Sequence, residues 1–220
     1  MTSDNSVPAQ NKPAGPFRNL EPLILASGSP RRRRFLTDLG LTFTVVVPDI
    51  EEKAEPGESP ADFVWRLALH KAADVAIHHP ASWILAADTV VVLDNEILGK
   101  PADAADAVRM LLRLSGRTHR VLTGFCLRHA RENRTIQGAA TTDVLFAPFG
   151  RHEAEAYAAT GEPLDKAGAY GIQGKGGFLV QRIDGSYSNV VGLPLAEVVE
   201  AMVRRGVIAP AIPSGGDGER

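Results

Sequence analysis

An α/β fold with a sheet flanked by helices follows from three stretches of the sequence. Residues 23–40, Leu-Ile-Leu-Ala-Ser-Gly-Ser-Pro-Arg-Arg-Arg-Arg-Phe-Leu-Thr-Asp-Leu-Gly, read as a buried strand, a turn and a helix. Ser59-Pro60-Ala61-Asp62 is a capping box that opens a helix to about His78. Trp83 to Leu93, Trp-Ile-Leu-Ala-Ala-Asp-Thr-Val-Val-Val-Leu, is a long apolar strand broken by one acid. Strands and helices that alternate in this way pack as helices on a sheet. A chain of 220 residues makes one large domain or two small lobes. That domain is expected over residues 21–208. Residues 1–20 and 209–220 lack periodicity, are rich in Pro, Ser, Asn, Ala and Gly, and read as a disordered leader and tail.

Each element has a local reason. In the opening stretch, Leu23-Ile-Leu-Ala26 suits a strand buried on both faces. Pro30 fits the first helical position, where its missing N–H is not needed, and Gly40 fits the position just past the helix end. Arg31 to Arg34 then fall in the first turn, where the dipole is already positive, at a cost of about 0.3–1 kcal/mol each. Free N–H groups, a positive helix end and guanidinium forks share one natural partner, an anion such as phosphate. The plain alternative is a solvated basic patch.

Thr42 to Val47 is β-branched and short, a strand that runs into the acids Glu51 and Glu52. In the next helix Val64, Leu67 and Val75 form an apolar stripe, and Lys71 falls on the same stripe. A lysine there either lies along the edge or faces a partner, because burying an unpaired ammonium is costly. Asp88 sits inside the long strand, where a buried carboxyl needs a cation, a metal or a raised pKa. Asp94-Asn95 suits a tight hairpin that returns through Glu96-Ile97-Leu98 to Lys100.

Asp103 to Leu114 is a helix with Ala104, Val108, Leu111 and Leu112 expected on its apolar face. Arg120–Leu127 and Thr135–Phe146 form a hairpin about Glu132-Asn133, and a short helix covers Arg151 to Thr160. Gly161 to Gly177 is a glycine-rich segment with Lys166, Gln173 and Lys175 as polar contacts. It is not a Walker loop, since Gly176 stands where Ser or Thr should follow the lysine. Phe178–Ile183 reads as a strand and Leu195 to about Arg205 as a closing helix.

Composition removes several functional classes. With 24 Lys and Arg against 26 Asp and Glu, the net charge of -2 argues against a dedicated nucleic-acid binder. The single cysteine, Cys126, excludes an internal disulfide and a cysteine zinc site, and fits a reducing cytoplasm. No apolar run reaches the roughly 18–20 residues needed to span a bilayer. The six histidines are scattered without ligand spacing. What remains is a set of cations, Arg31, Arg32, Lys71 and Lys100, and a set of acids, Glu51, Glu52 and Asp88. Polyanion hydrolysis needs both, and oxygen ligands point to Mg²⁺ or Mn²⁺ as the divalent metal. These residues suit a metal-assisted phosphoanhydride hydrolase or a nucleotide-binding protein.

At these residues the sequence resembles the Maf family of nucleoside triphosphate pyrophosphatases. The motifs that carry the resemblance are Leu25-Ala-Ser-Gly-Ser-Pro-Arg-Arg32, Ile50-Glu-Glu52, Arg66-Leu-Ala with Lys71-Ala72, and Ala87-Asp-Thr-Val-Val91. Gly99-Lys-Pro101, Leu114-Ser-Gly-Arg-Thr-His119, Gly161 to Gly174 and Val190-Val-Gly-Leu-Pro194 complete the set. The resemblance implies a two-lobed mixed sheet with a central cleft, like that of the inosine triphosphatase class. It implies hydrolysis of a nucleoside triphosphate to the monophosphate and pyrophosphate with a divalent cation. Asp88 would be the proton acceptor that activates water, with Glu51 or Glu52 helping to hold the metal. Ser27, Arg31, Arg32, Lys71 and Lys100 would bind the triphosphate, and Arg31, Thr89 and Gln173 match positions tied to substrate choice.

Asp165-Lys-Ala-Gly-Ala-Tyr-Gly-Ile-Gln-Gly174 resembles the branch acting on dTTP and UTP rather than the one acting on 7-methyl-GTP. The family pattern has two basic residues after the proline, so Arg33 and Arg34 read as surface charges. A homodimer is implied by the resemblance alone. Two rivals stand beside this reading: the same chemistry on 7-methyl-GTP or a modified nucleotide, and a non-catalytic regulator that binds nucleic acid or a cell-division partner through the arginines.

Overall fold

The computed structural model describes residues 15–211. Its strands are β1 (Phe17–Asn19), β2 (Leu23–Ala26), β3 (Thr44–Val46), β4 (Trp83–Leu93), β5 (Glu96–Leu98), β6 (Thr118–His129), β7 (Arg134–Phe146), β8 (Val180–Asp184) and β9 (Ile208–Pro210). Its helices are α1 (Pro30–Asp38), α2 (Pro60–His78), α3 (Ala104–Leu114), α4 (Arg151–Ala158), α5 (Tyr187–Val191) and α6 (Leu195–Arg204). The main sheet runs β3-β2-β4-β6-β7-β8, with β5 hydrogen-bonded to the far end of β4. β2 is parallel to both β3 and β4, whereas β4, β6, β7 and β8 pair antiparallel, so the sheet is mixed as expected.

The helix starts follow their caps. Ser29 accepts from the Arg32 backbone N–H at the head of α1, Ser59 from Asp62 at α2 and Asp103 from Asp106 at α3, each supporting its helix by about 1 kcal/mol. Gly40 takes a left-handed φ of +83° just past α1, a conformation open to glycine. Asp94 and Asn95, both with positive φ, make the tight turn between β4 and β5.

β4 is the spine of the molecule. On one face it is covered by α2 along its length: Ile84 and Ala86 cluster with Ala68, Ala72 and Val75, and Val90 and Val92 with Phe63, Val64 and Leu67. On the other face the cover changes. Trp83, Leu85 and Ala87 pack with Leu36 of α1 and Val198 and Met202 of α6. Val91 and Leu93 pack instead with Leu111 of α3 and Ala154 and Tyr157 of α4. Each large aliphatic side chain so buried contributes about 1.5–3 kcal/mol. The change of cover defines two lobes and leaves a gap between them. Thr89 faces that gap, while Asp88 beside it turns to the α2 face of the strand, and both line the cleft that opens there.

Several local expectations shift. The α3 residues buried against the core are Ala107, Val108, Leu111 and Leu114. Ala104 is exposed and Leu112 only half-buried, because the α4 contact rotates the buried stripe toward Ala107. The expected leader and tail boundaries meet structure at both ends, since Phe17–Asn19 pairs antiparallel with Ile208–Pro210. Phe17 packs on the first-lobe core, which is what draws the two ends together. The remainder of the expected leader and tail, residues 1–14 and 212–220, lies outside the described residues. Gly161 to Gly177 folds as three 3₁₀ turns, Glu162–Asp165, Ala167–Ala169 and Lys175–Leu179.

Candidate active site

The gap between the lobes is a cleft of about 360 Å³, within the size range of small-molecule sites. One wall is Ser27–Arg32 with Val47 and Pro48, the floor includes Lys71, Asp88 and Thr89, and the opposite wall comes from Asp165–Ala167 and Tyr170–Gln173. Ser27, Arg31, Arg32, Lys71, Asp88, Thr89, Lys100 and Gln173 all reach this one cleft, from segments spread over the whole sequence.

The floor is built by the alternation of β4 against α2. Lys71 is buried on α2, and its Nζ donates to Asp88 Oδ1 at 2.6 Å. The same ammonium lies 2.6 Å from Glu52 Oε1. Burial by itself raises the Glu52 carboxyl, but the Lys71 hydrogen bond and the charges of Lys71, Lys100 and Arg32 outweigh it and hold Glu52 below its ordinary range. Glu51 does not join the pair: both it and Glu52 are exposed, but only Glu52 lines the cleft and reaches Lys71. The loop bearing Glu52 is itself pinned, since Arg66 of α2 donates to both oxygens of Glu58 at 2.7 Å and to the Lys53 carbonyl. That fork pulls Glu58 down to about 2.

Two carboxylates on one ammonium are a hard-oxygen donor pair. Among the described residues no cluster of three or more His, Cys, Asp or Glu side chains forms a ready cage. A pair of carboxylates completed by phosphate oxygens and water is, however, the usual protein share of a Mg²⁺ site. Glu52 and Asp88 therefore fit a divalent cation that arrives with a polyphosphate.

The arginine wall separates its two members. The Arg32 guanidinium donates from Nε to the Gly192 carbonyl at 2.7 Å, from Nη1 to Ser27 Oγ at 3.1 Å and from Nη2 to Thr89 Oγ1 at 3.0 Å. Burial lowers its pKa, opposed by the charge of Asp88. Two of its five N–H groups stay available to a ligand. Arg31 reaches across the mouth to Asp165, with Nη1 3.7 Å from Oδ2. Arg33 and Arg34 are exposed and away from the cleft, as the family pattern implies.

Three contributors were not foreseen from sequence. The Gly192 carbonyl, 160 residues from Arg32, is held by the short helix α5. Buried Asn189 donates to the Val121 carbonyl and Thr142 Oγ1, and its own carbonyl accepts from Thr123, which pairs with Thr89. The legible signal was Thr123, a hydroxyl inside an apolar run just as Asp88 is an acid inside one. Asp165 is the third. Conversely, Lys175 lies outside the cleft lining, and its backbone N–H donates to Glu162.

The family model described as Maf-like protein matches residues 22–205. The chain belongs to the Maf family. Its Maf relatives include a protein of Desulfotalea psychrophila named dTTP/UTP pyrophosphatase, 56% identical over 86% of this chain and 97% of that one. Proteins of the same name from Myxococcus xanthus and Geobacter sulfurreducens are 53% and 50% identical, over 86% and 84% of this chain and 94% and 97% of theirs. The family-model match spans both lobes and every segment that lines the cleft.

Proposed function

We propose that this Maf-family chain is a nucleoside triphosphate pyrophosphatase that hydrolyses dTTP and UTP to the monophosphate and pyrophosphate. The observation that carries the reading is the floor of the cleft, where buried Asp88 meets Lys71 beneath a wall of cations. The names of relatives at 50–56% identity support the same activity and base preference.

In this reading Arg31, the free N–H groups of Arg32, Lys100 and Ser27 bind the triphosphate oxygens and offset their charge. Asp88 accepts a proton from the water that attacks the α-phosphorus, as the bond from that phosphorus to the bridging oxygen breaks and pyrophosphate leaves. Lys71 holds the Asp88 carboxylate in place through its 2.6 Å hydrogen bond. Glu52 and Asp88 would hold a Mg²⁺ or Mn²⁺ ion, which supplies neutralisation of phosphate charge. Thr89 fixes Arg32, and Gln173 faces the base, where an amide can both donate and accept. The family resemblance further leads us to infer a cytoplasmic homodimer, to be checked by sedimentation; no helix among the described residues is long and apolar enough to cross a membrane.

The test is pyrophosphate release from dTTP, UTP and 7-methyl-GTP, with and without Mg²⁺. Metal-dependent release from dTTP and UTP is expected. A preference for 7-methyl-GTP overturns the base assignment. Absence of release from all three, with salt-sensitive binding to DNA, favours the regulator instead.

A further inference from the structure

Gln173 is carried by a glycine-rich segment, Gly171-Ile172-Gln173-Gly174-Lys175-Gly176-Gly177, in which Ile172 packs on the second-lobe core. Its position is fixed at both ends by one pair of side chains outside the cleft. At the near end, the Gly171 backbone N–H donates to Tyr157 Oη at 3.1 Å. At the far end, the backbone N–H of Lys175 donates to Glu162 Oε2 at 3.1 Å and that of Gly176 to Glu162 Oε1 at 3.2 Å. The two anchors are joined, because Tyr157 Oη donates to Glu162 Oε1 at 2.9 Å. Tyr157 is 2% exposed in the second-lobe core, so the clamp is seated on the rigid part of that lobe.

The glycines record how closely the backbone lies on this pair. A Cβ on Gly176 would meet Tyr157 Oη at 2.5 Å, and one on Gly174, already at φ +93°, would meet Glu162 Oε2 at 3.0 Å. The electrostatics agree. Burial alone raises Glu162, but the two backbone N–H groups, the Tyr157 hydroxyl and Lys166 hold it below its ordinary range. A carboxylate bound by backbone donors makes stronger hydrogen bonds than a neutral acceptor.

We propose that Tyr157 and Glu162 are positioning residues that set base selection, by clamping Gly171 and Gly176 so that Gln173 is presented to the base at a fixed depth. The inference rests on the assignment of Gln173 to the base edge. Neither residue lines the cleft, so neither touches substrate. A site held to within a fraction of an ångström depends on such supporting contacts.

The test compares wild type with Tyr157→Phe, Glu162→Gln and Gln173→Ala. For each, it measures UTP dissociation constants by calorimetry, KM and kcat for UTP and dTTP, inhibition by inorganic triphosphate, and the thermal midpoint. Tyr157→Phe keeps the packed ring, and Glu162→Gln keeps the shape, so a fold lost in one leaves the other to decide. Each should weaken UTP binding and raise KM about tenfold, the effect of one lost charge-assisted contact, with kcat changed less than about threefold. Inorganic triphosphate, which has no base, should inhibit within about twofold of wild type, and combining either change with Gln173→Ala should add little. Wild-type UTP affinity in both clamp variants overturns the proposal, as does an equal loss for inorganic triphosphate. Wild-type affinity in Gln173→Ala removes the role of Gln173 and the proposal with it. A wild type that binds UTP without releasing pyrophosphate sinks the enzyme reading only, and the dissociation constants then judge the clamp.

Discussion

At the scale of single residues, the molecule places charge where burial makes it expensive and compensates it locally. Lys71 and Asp88 are 7% and 8% exposed, so each depends on the other. Replacing Lys71 by Met leaves Asp88 unpaired, and urea unfolding should show a loss of about 3–5 kcal/mol. A loss under about 1 kcal/mol would show that solvent, not Lys71, carries the Asp88 charge. His119 is the opposite case. Its Nε2 lies 2.9 Å from Tyr170 Oη, Nδ1 has no partner among the described residues, and burial pushes its pKa down to about 4. The folded state therefore holds it neutral while the unfolded chain protonates near 6.5. The stability this contributes is complete above pH 6.5 and is lost as pH falls toward 4. Unfolding free energy should drop by about 2–3 kcal/mol between pH 7.5 and 4.5, and by less in His119→Gln. Equal slopes in the two proteins would remove His119 as the cause.

At the scale of elements, one strand does most of the organising. β4 is covered by a single helix on one face and by two successive helix sets on the other, and the site occupies the seam. α2 can lie close enough for Lys71 to reach Asp88 because Gly124 of β6 carries no side chain. A Cβ there would meet the Val64 carbonyl at 2.6 Å. Gly124→Ala should cost about 1–3 kcal/mol in denaturant unfolding, by forcing α2 away from the sheet. It should also lower turnover, because the Lys71–Asp88 contact lengthens. Wild-type stability would show that α2 can slide freely.

The limits of sequence reading fall at this scale too. Trp83–Leu93 was legible to the residue, because a long apolar run closed by an Asp-Asn turn marks both of its ends. Asp88, Lys71 and Gln173 were legible as polar residues in apolar or glycine-rich surroundings. What sequence could not supply was pairing across distance. Glu51 and Glu52 are equivalent in composition and differ only in the direction each side chain takes. The Gly192 carbonyl that holds Arg32 is a backbone group with no sequence signal. β1 and β9 are three residues each, too short for periodicity, and exist because they pair with one another.

At the scale of the whole molecule, a chain with a net charge of -2 concentrates cations in one cleft. Arg31, Arg32, Lys71 and Lys100 come from both sides of the seam, so the field that attracts a polyanion exists only once the lobes have assembled. KM for UTP should rise with ionic strength while kcat changes little, and a KM indifferent to salt would contradict electrostatic capture. We propose, more narrowly, that Asp88 in this cleft takes the proton from the attacking water. The direct measurement is single-turnover pyrophosphate release from UTP by Asp88→Asn, alongside its UTP dissociation constant. The rate should fall by about 10²–10⁴-fold, the usual contribution of a positioned general base, with UTP still bound. Release at the wild-type rate would contradict it.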